Sequence, residues 1–263
     1  MLHPYPHAPR DGALAEPCRA PRLIVVSPHL DDAVLGCGGL LAMCPGSVVC
    51  TVFAGEPSAP VQAKWDTASG FADSHEAIRA RRREDARALA LCGARPLWLD
   101  FLDAQYARYG AMPRVEAIAD ALAEQFARFE GYLPVCPFGL WHSDHVLVGA
   151  ACRSLLRTRR LARYFAYEDA IYRAIPRVLH ESFARLEADR LRASAMSAQA
   201  FGRRSARQIG AVKRRAIRAY QSQMRAFGHV PPDVERAEHY WRVERWPSSM
   251  EREAATRAPS GLF

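Results

Sequence analysis

Short apolar, β-branched runs alternate with longer stretches of helical period over roughly the first 160 residues. LIVV at 23–26 predicts a buried strand, and SVVCTVF at 47–53 predicts a second. PLWLD at 96–100 and YLPVC at 132–136 predict a third and a fourth. Pro134 weakens the last or moves it towards a sheet edge, because proline cannot donate to the ladder. Residues 31–43 are apolar and glycine-containing, fit for a helix packed close on a sheet. Residues 75–92 place Ile78, Ala86 and Leu89 at helical spacing and end at Gly93, a C-terminal cap signal. Residues 115–129 set Ile118, Leu122 and Phe126 on one face, and 146–161 predict a fourth helix. RYFAYE at 163–168 reads as one more strand. Residues 182–227 are helical in composition with a dense basic face, and the pattern frays after Arg245. Strand alternating with helix predicts an α/β, Rossmann-like three-layer fold. Its sheet is mostly parallel and covered on both faces, and its C-terminal region is helical. With no internal repeat or low-complexity linker, 22–245 reads as a single domain, 1–21 as a loosely ordered leader and 246–263 as a tail.

Composition narrows the class. The chain has 263 residues, 49% of them apolar, as in an ordinary globular protein. No run approaches the ~18 apolar residues of a membrane helix. The N-terminus lacks the apolar stretch of a secretory signal, so the expected compartment is cytoplasmic. Seven cysteines, at 18, 37, 44, 50, 92, 136 and 152, are scattered and include no C-x-x-C pair. Reduced, mostly buried thiols are expected rather than a disulfide framework. The net charge of +8 comes from arginine, densest at 79–87 and 185–225. Basic residues interleaved with exposed aromatics, the mark of nucleic-acid binding, are missing, so no nucleic-acid partner is expected. Solvated helix faces account for the charge, or it steers a phosphate- or carboxylate-bearing substrate.

Two polar clusters change the picture. SPHLDD at 27–32 follows the first strand, and WHSDH at 141–145 follows the fourth. In an open parallel sheet, ligands bind beyond the carboxyl ends of the strands where strand order reverses. If the order is 3-2-1-4, these segments meet in one crevice with His29, Asp31 and Asp32 on one side and His142, Asp144 and His145 on the other. Two imidazoles and two or three carboxylates in one crevice suit a divalent transition metal. Each piece also has a plain structural reading: a His pair at a helix start is often a cap or a core residue, and Asp32 suits a helix N-cap. The glycines at 36, 38 and 39 are displaced from the strand end by charged residues, so they suit close helix–sheet packing better than a dinucleotide fingerprint.

On these motifs the chain resembles the PIG-L/LmbE family of zinc-dependent de-N-acetylases. That family is similar in carrying P-H-x-D-D or A-H-x-D-D after its first strand and H-P-D-H later. The resemblance extends to RRRE at 81–84, FLD at 101–103 and KRRAIRAYQSQ at 213–223. TVFAG at 51–55, Trp65, YED at 167–169 and AEHYWR at 237–242 look most similar to members acting on amino sugars of natural products such as glycopeptide antibiotics. Ala33 stands where many members have glutamate, and Ser143 where they have proline.

The resemblance implies that His29, Asp32 and His145 hold Zn2+; Fe2+ and Co2+ suit the same donors. It implies Asp31 as general base, and His142, if protonated, as the donor to the oxyanion. Asp144 would orient His142 and favour its charged form. The leaving amine would take its proton from Asp31 or His142. Arg81 and Asp103 match positions near the substrate hydroxyls; a helix-surface charge and a turn residue are their plain readings. Glu168 and Asp169 either line the crevice or cap a loop. The implied activity is hydrolysis of the N-acyl group of an amino sugar, on a small molecule or a glycan. The alternatives are the same chemistry on a polysaccharide, lipid-linked or thiol-glycoside substrate, and a metal-free Rossmann-like nucleotide-binding or structural domain.

Overall fold

The computed structural model describes residues 20–107, 112–202 and 204–247. The expected leader as far as residue 19, and the tail from residue 248, lie outside the described residues. One mixed sheet has strand order β3-β2-β1-β4-β5-β7-β6. The strands are β1 (Leu23–Ser27), β2 (Val48–Thr51), β3 (Arg95–Trp98), β4 (Leu133–Pro137), β5 (Arg163–Tyr167), β6 (Leu191–Met196) and β7 (Tyr240–Arg245). The first five are parallel, and β7 runs antiparallel between β5 and β6. This is the mostly parallel α/β architecture expected, with the 3-2-1-4 order that the site requires.

Side chains alternate across the buried strands, so β1 sends Leu23 and Val25 to one core and Ile24 and Val26 to the other. The first core is shared with α1 (Asp32–Met43), α3 (Ser74–Leu91) and α7 (Ala206–Ile217). The second is shared with α4 (Val115–Arg128), α5 (Ser143–Arg157) and α6 (Val178–Ala188). Two short helices, α2 (Lys64–Ala68) and α8 (Gln221–Phe227), pack together beside the first group.

Pro134 does not push β4 to an edge: the strand lies between β1 and β5. Leu133 N–H donates to Arg22 on the β1 side, so the next nitrogen, that of Pro134, faces β5. Pairing with β5 begins only at Val135, so no ladder bond is lost. The glycines of α1 have the packing role expected of them. A Cβ on Gly36 would stand 2.6 Å from the Tyr167 ring, whose hydroxyl donates to Val26 O at 3.0 Å. Cys37 interrupts the helical backbone (φ −142°, ψ 29°), and the Gly39 and Leu40 N–H groups are taken up by the Glu238 carboxylate.

The stretch read as helical from 182 to 227 contains a strand, β6. β6 carries little apolar signal because it is the edge strand, and its Arg192 is drawn into register by Glu244 of β7 at 2.6 Å. Strand β7 lies beyond the alternating pattern altogether.

Asp85 of α3 ties the C-terminal helices to the sheet, accepting from Trp98 Nε1 (2.8 Å) and from the Tyr220 hydroxyl (2.9 Å). Burial pushes its carboxyl up to about 6. A carboxyl raised above its unfolded value favours folding below that value and loses this contribution as pH rises through the folded one. Asp85→Asn should therefore gain about 3 kcal/mol on the wild type between pH 4 and pH 7. Urea unfolding across that range checks this, and a constant offset between the two proteins would contradict it.

Candidate metal centre

Where β1 and β4 end, their loops turn to opposite sides of the sheet and leave a crevice. Ser27 shapes the β1–α1 loop: its hydroxyl donates to His29 O (2.7 Å) and accepts from Ala33 N–H (3.0 Å). Pro28 O accepts from Phe53 N–H at 2.9 Å, which holds the loop against the end of β2. Asp31 stands at the N-cap position in extended backbone but makes no side-chain cap, and Asp32 opens the helix. The cap expected of Asp32 is not formed. Its Oδ2 instead accepts from His29 N–H at 2.8 Å and stands 3.1 Å from both His29 Nδ1 and His145 Nε2.

Across the crevice, Gly139 supplies a positive-φ turn where a Cβ would meet His145 O at 2.9 Å. His142 caps α5, its Nδ1 accepting from Asp144 N–H at 3.3 Å. His145 lies one turn further on, fully buried. Its Nδ1 is 2.5 Å from Asp169 Oδ1, and Asp169 Oδ2 also accepts from Gly139 and Leu140 N–H. Asp169 therefore stands behind His145 and caps a loop. Glu168 points away, accepting from His239 Nδ1 and Trp241 Nε1 and so joining β5 to β7.

Asp144 does not orient His142. Its Oδ2 is 2.9 Å from His29 Nε2 and accepts from Ala104 N–H. At the second position of α5 its side chain reaches back across the crevice, while its backbone amide serves His142. Each of the two imidazoles, His29 and His145, thus has a carboxylate behind it and a second nitrogen turned towards Asp32. This support fixes the tautomer and makes the forward nitrogen a better ligand.

His29, Asp32 and His145 offer donor atoms all within 4.8 Å of one another; His29, His142 and Asp144 form a second such group. The first group fits a divalent cation by its chemistry. His145 Nε2 is buried and makes no hydrogen bond, although Asp32 Oδ2 is near. A buried imidazole nitrogen with its partner nitrogen pinned is an orphan that a metal satisfies.

The charge balance agrees. Burial opposes the charged form of His145, but Asp32 and Asp169 outweigh it and lift the ring to about 9. His29 is also raised, burial being outweighed by Asp144 and Asp32. Burial, then the neighbouring Asp32, pushes Asp31 up to about 8. His142 moves the other way, its charge disfavoured by burial and then by His29 and His145. The condition attached to His142 in the sequence reading, that its ring be protonated, is therefore not favoured, and Asp144, engaged with His29, does not reverse that.

These groups open on a cavity of about 290 Å³ whose walls include Arg81, Asp103, Trp65 and Phe227. Arg81 is no surface charge: it is buried, 2.8 Å from Asp66 and donating to Ser69 at 3.0 Å. Asp103 is a turn residue, accepting from Gln105 N–H at 2.9 Å, and also stands 3.9 Å from His29 Nε2 at the cavity rim. Tyr172, just past β5, packs edge-on to His145 at 4.8 Å and escaped the sequence reading. Only its place after a parallel strand signals it.

The PIG-L family model, described as GlcNAc-PI de-N-acetylase, matches residues 24–156, half of the chain and both polar motifs. The chain belongs to the PIG-L family. No curated protein sequence matches it. Among solved structures, a triple-mutant deacetylase of the teicoplanin biosynthetic pathway is 26% identical with a TM-score of 0.65, covering 87% of this chain and 100% of that one. The zinc-inhibited form of a teicoplanin deacetylase is 23% identical (TM-score 0.66; 87% and 100% covered). A deacetylase of the A40926 pseudoaglycone is 23% identical (TM-score 0.67; 88% and 100%). The structural neighbours of this PIG-L chain thus include natural-product deacetylases, as the 51–55 and 237–242 segments suggest.

In this PIG-L site Asp169 holds the ring whose other nitrogen is turned towards Asp32. Asp169→Asn removes the charge behind His145 Nδ1 and leaves one oxygen to serve both that ring and the 139–140 amides, and zinc affinity should fall by about 10–100-fold. Competition with a chromophoric chelator measures this; unchanged affinity would deny Asp169 its role.

Proposed function

We propose that the chain is a metal-dependent hydrolase that cleaves the amide of an N-acyl amino sugar, with acetyl the first acyl group to consider. The carrying observation is the meeting of His29 Nδ1, Asp32 Oδ2 and His145 Nε2 beside the buried carboxyl of Asp31. Membership of the PIG-L family and the likeness to deacetylases support this reading over a metal-free nucleotide-binding domain. So does the packing of Gly36 and Gly39 against Tyr167 and Glu238, which leaves no cradle for phosphates.

A divalent ion held by His29, Asp32 and His145, zinc by preference, supplies an acidified water and a polarised acyl oxygen. Asp31 is adjacent to a ligand but outside the ligand set. With a divalent ion beside it Asp31 would be held ionised, and its carboxylate would take a proton from the attacking water and keep it through the addition step. The same proton is then available to the leaving amine, so water's two hydrogens end on the amine and, after ionisation of the acid, in solvent. His142 accepts a backbone N–H at Nδ1, so its neutral ring carries hydrogen on Nε2. That N–H is the donor to the acyl oxygen as charge gathers there, an interaction worth about 10²–10³ in rate. Asp144 acts on His29 and through it on the ligand set. Asp103 at the rim accepts from a sugar hydroxyl, while Arg81 stiffens the wall through Asp66 and Ser69.

The test is acetate release from N-acetylglucosaminides by the zinc-loaded protein. Asp31→Asn should lower kcat by about 10²–10⁴-fold while zinc content stays the same. Full activity in that variant would remove Asp31 from the mechanism. A panel including lipid-linked and polysaccharide substrates separates the runner-up substrates.

Loading should also release protons, because His29 and His145 hold them without the ion. About two to three protons per zinc are expected near pH 7, the third from Asp31, and affinity should weaken as pH falls. Calorimetry in buffers of different ionisation enthalpy measures the number; no proton release would contradict the ligand set.

A further inference from the structure

Asp233 has no part in the scheme above and does not line the cavity, yet it grips the loop that carries Tyr172. It belongs to a short 3₁₀ turn, Pro232–Glu235, and lies 60 positions beyond Arg173. Its Oδ2 accepts from Ile171 N–H and from Arg173 Nε, each at 2.8 Å. One oxygen thus holds the residues on either side of Tyr172. Arg173 closes the grip by donating to Asp233 O at 2.8 Å and to Ala237 O at 3.0 Å. Asp233 is buried, and a buried carboxylate met by a guanidinium makes a strong, directional bond.

The gripped backbone is strained. Ile171 has φ 63°, in the left-handed region where a β-branched residue is a true outlier. Such a conformation persists only where its surroundings over-determine it. Here the Asp233 bond to Ile171 N–H and the bond from Arg173 N–H to Asp169 O (3.1 Å) do so. What the loop delivers is Tyr172, which lies within 29° of parallel to His142 at 5.9 Å and edge-on to His145 at 4.8 Å. The His142 ring has one hydrogen bond among the described residues, a long one at 3.3 Å. His29 and His145 meet that ring edge-on. The face of Tyr172 is the contact that remains to fix its plane.

We propose that Asp233 is a positioning residue for the reaction: by gripping 171 and 173 it holds Tyr172 against His142 and so aims the His142 Nε2–H into the cavity. This rests on the hydrolase reading for what that N–H does. A donor to developing charge is sensitive to its placement, and a displacement of about 1 Å costs up to ~10²-fold in rate. A mere anchor for the C-terminal segment would act on stability without regard to His142.

The experiment makes Asp233→Ala and Asp233→Asn in the zinc-loaded protein, each with His142 present and with His142→Ala. With His142 present, Asp233→Ala should lower kcat for acetate release from an N-acetylglucosaminide by about 10–100-fold while KM changes little. Asp233→Asn keeps an acceptor for Ile171 N–H and should restore most of the loss. In the His142→Ala background Asp233→Ala should cost little more, because both changes remove one interaction. An equal loss in the two backgrounds overturns the proposal. A second readout does not depend on turnover: in proton NMR of the zinc-loaded protein, the His142 ring signals carry the ring-current shift of Tyr172. Asp233→Ala should move them as Tyr172→Ala does, and Asp233→Asn should not. If Asp233→Ala fails to fold, Arg173→Lys, which removes the Nε bond, should give the same pattern at about three- to tenfold in kcat; no change in kcat or in the His142 signals overturns the proposal. If acetate is released but neither kcat nor the His142 signals respond to Asp233→Ala, the positioning role is wrong and the hydrolase reading stands. If no acetate is released by the wild type yet the signals move, Asp233 positions the ring and the hydrolase reading is wrong.

Discussion

Buried negative charge in one crevice is the constraint from which the rest follows. Asp31, Asp32, Asp144 and Asp169 converge there with His29 and His145, and Asp103 stands at the rim. Such a cluster is costly in a low-dielectric setting unless cations balance it. In the protein alone, protons held on His29, His145 and Asp31 do part of this. The divalent ion proposed for this site would do it better and would use the nitrogen that His145 otherwise leaves unsatisfied. Metal affinity, the tautomers of both imidazoles and the proton-holding capacity of Asp31 are then consequences of one charge arrangement.

The fold meets this constraint by holding three strand ends in register. The β1 end brings Asp31 and Asp32, β4 brings the α5 start, and β5 brings Asp169. Tyr167, hydrogen-bonded to Val26 O and seated on Gly36, fixes the β5 end relative to the α1 start. Asp169 then acts as strut as well as charge: it ties the 139–140 turn to β5 and, through His145, to the ligand set. The left-handed backbone at Trp141 belongs to the same loop, immediately before the capping His142.

Much of this was legible in the sequence because the informative residues are local to strand ends. β1 to β5 announce themselves as apolar runs, and the two polar motifs follow the strands that strand order makes neighbours. Interactions that depend on distant packing were hidden. Asp144 lies two residues from His142, which suggests a pair, yet helix geometry sends its side chain to His29, 115 positions away. Arg81 sits in an arginine run that reads as solvated, but the position faces Asp66 and α2. Pro134 argues for an edge only until the register shows that its missing donor faces an unpaired stretch. β6 lies at the sheet edge and β7 runs between it and β5, so their pairing rests on these ladders and on Glu168 rather than on an apolar period.

The central claim is that one divalent ion sits among His29, Asp32 and His145, with Asp31 outside its ligands. A crystal of the protein grown with stoichiometric zinc and measured at the zinc absorption edge tests it directly. The account predicts a single anomalous peak bonded to His29 Nδ1, Asp32 Oδ2 and His145 Nε2, with Asp169 still on His145 Nδ1. A peak bounded instead by His29, His142 and Asp144, or no peak in the crevice, would contradict it.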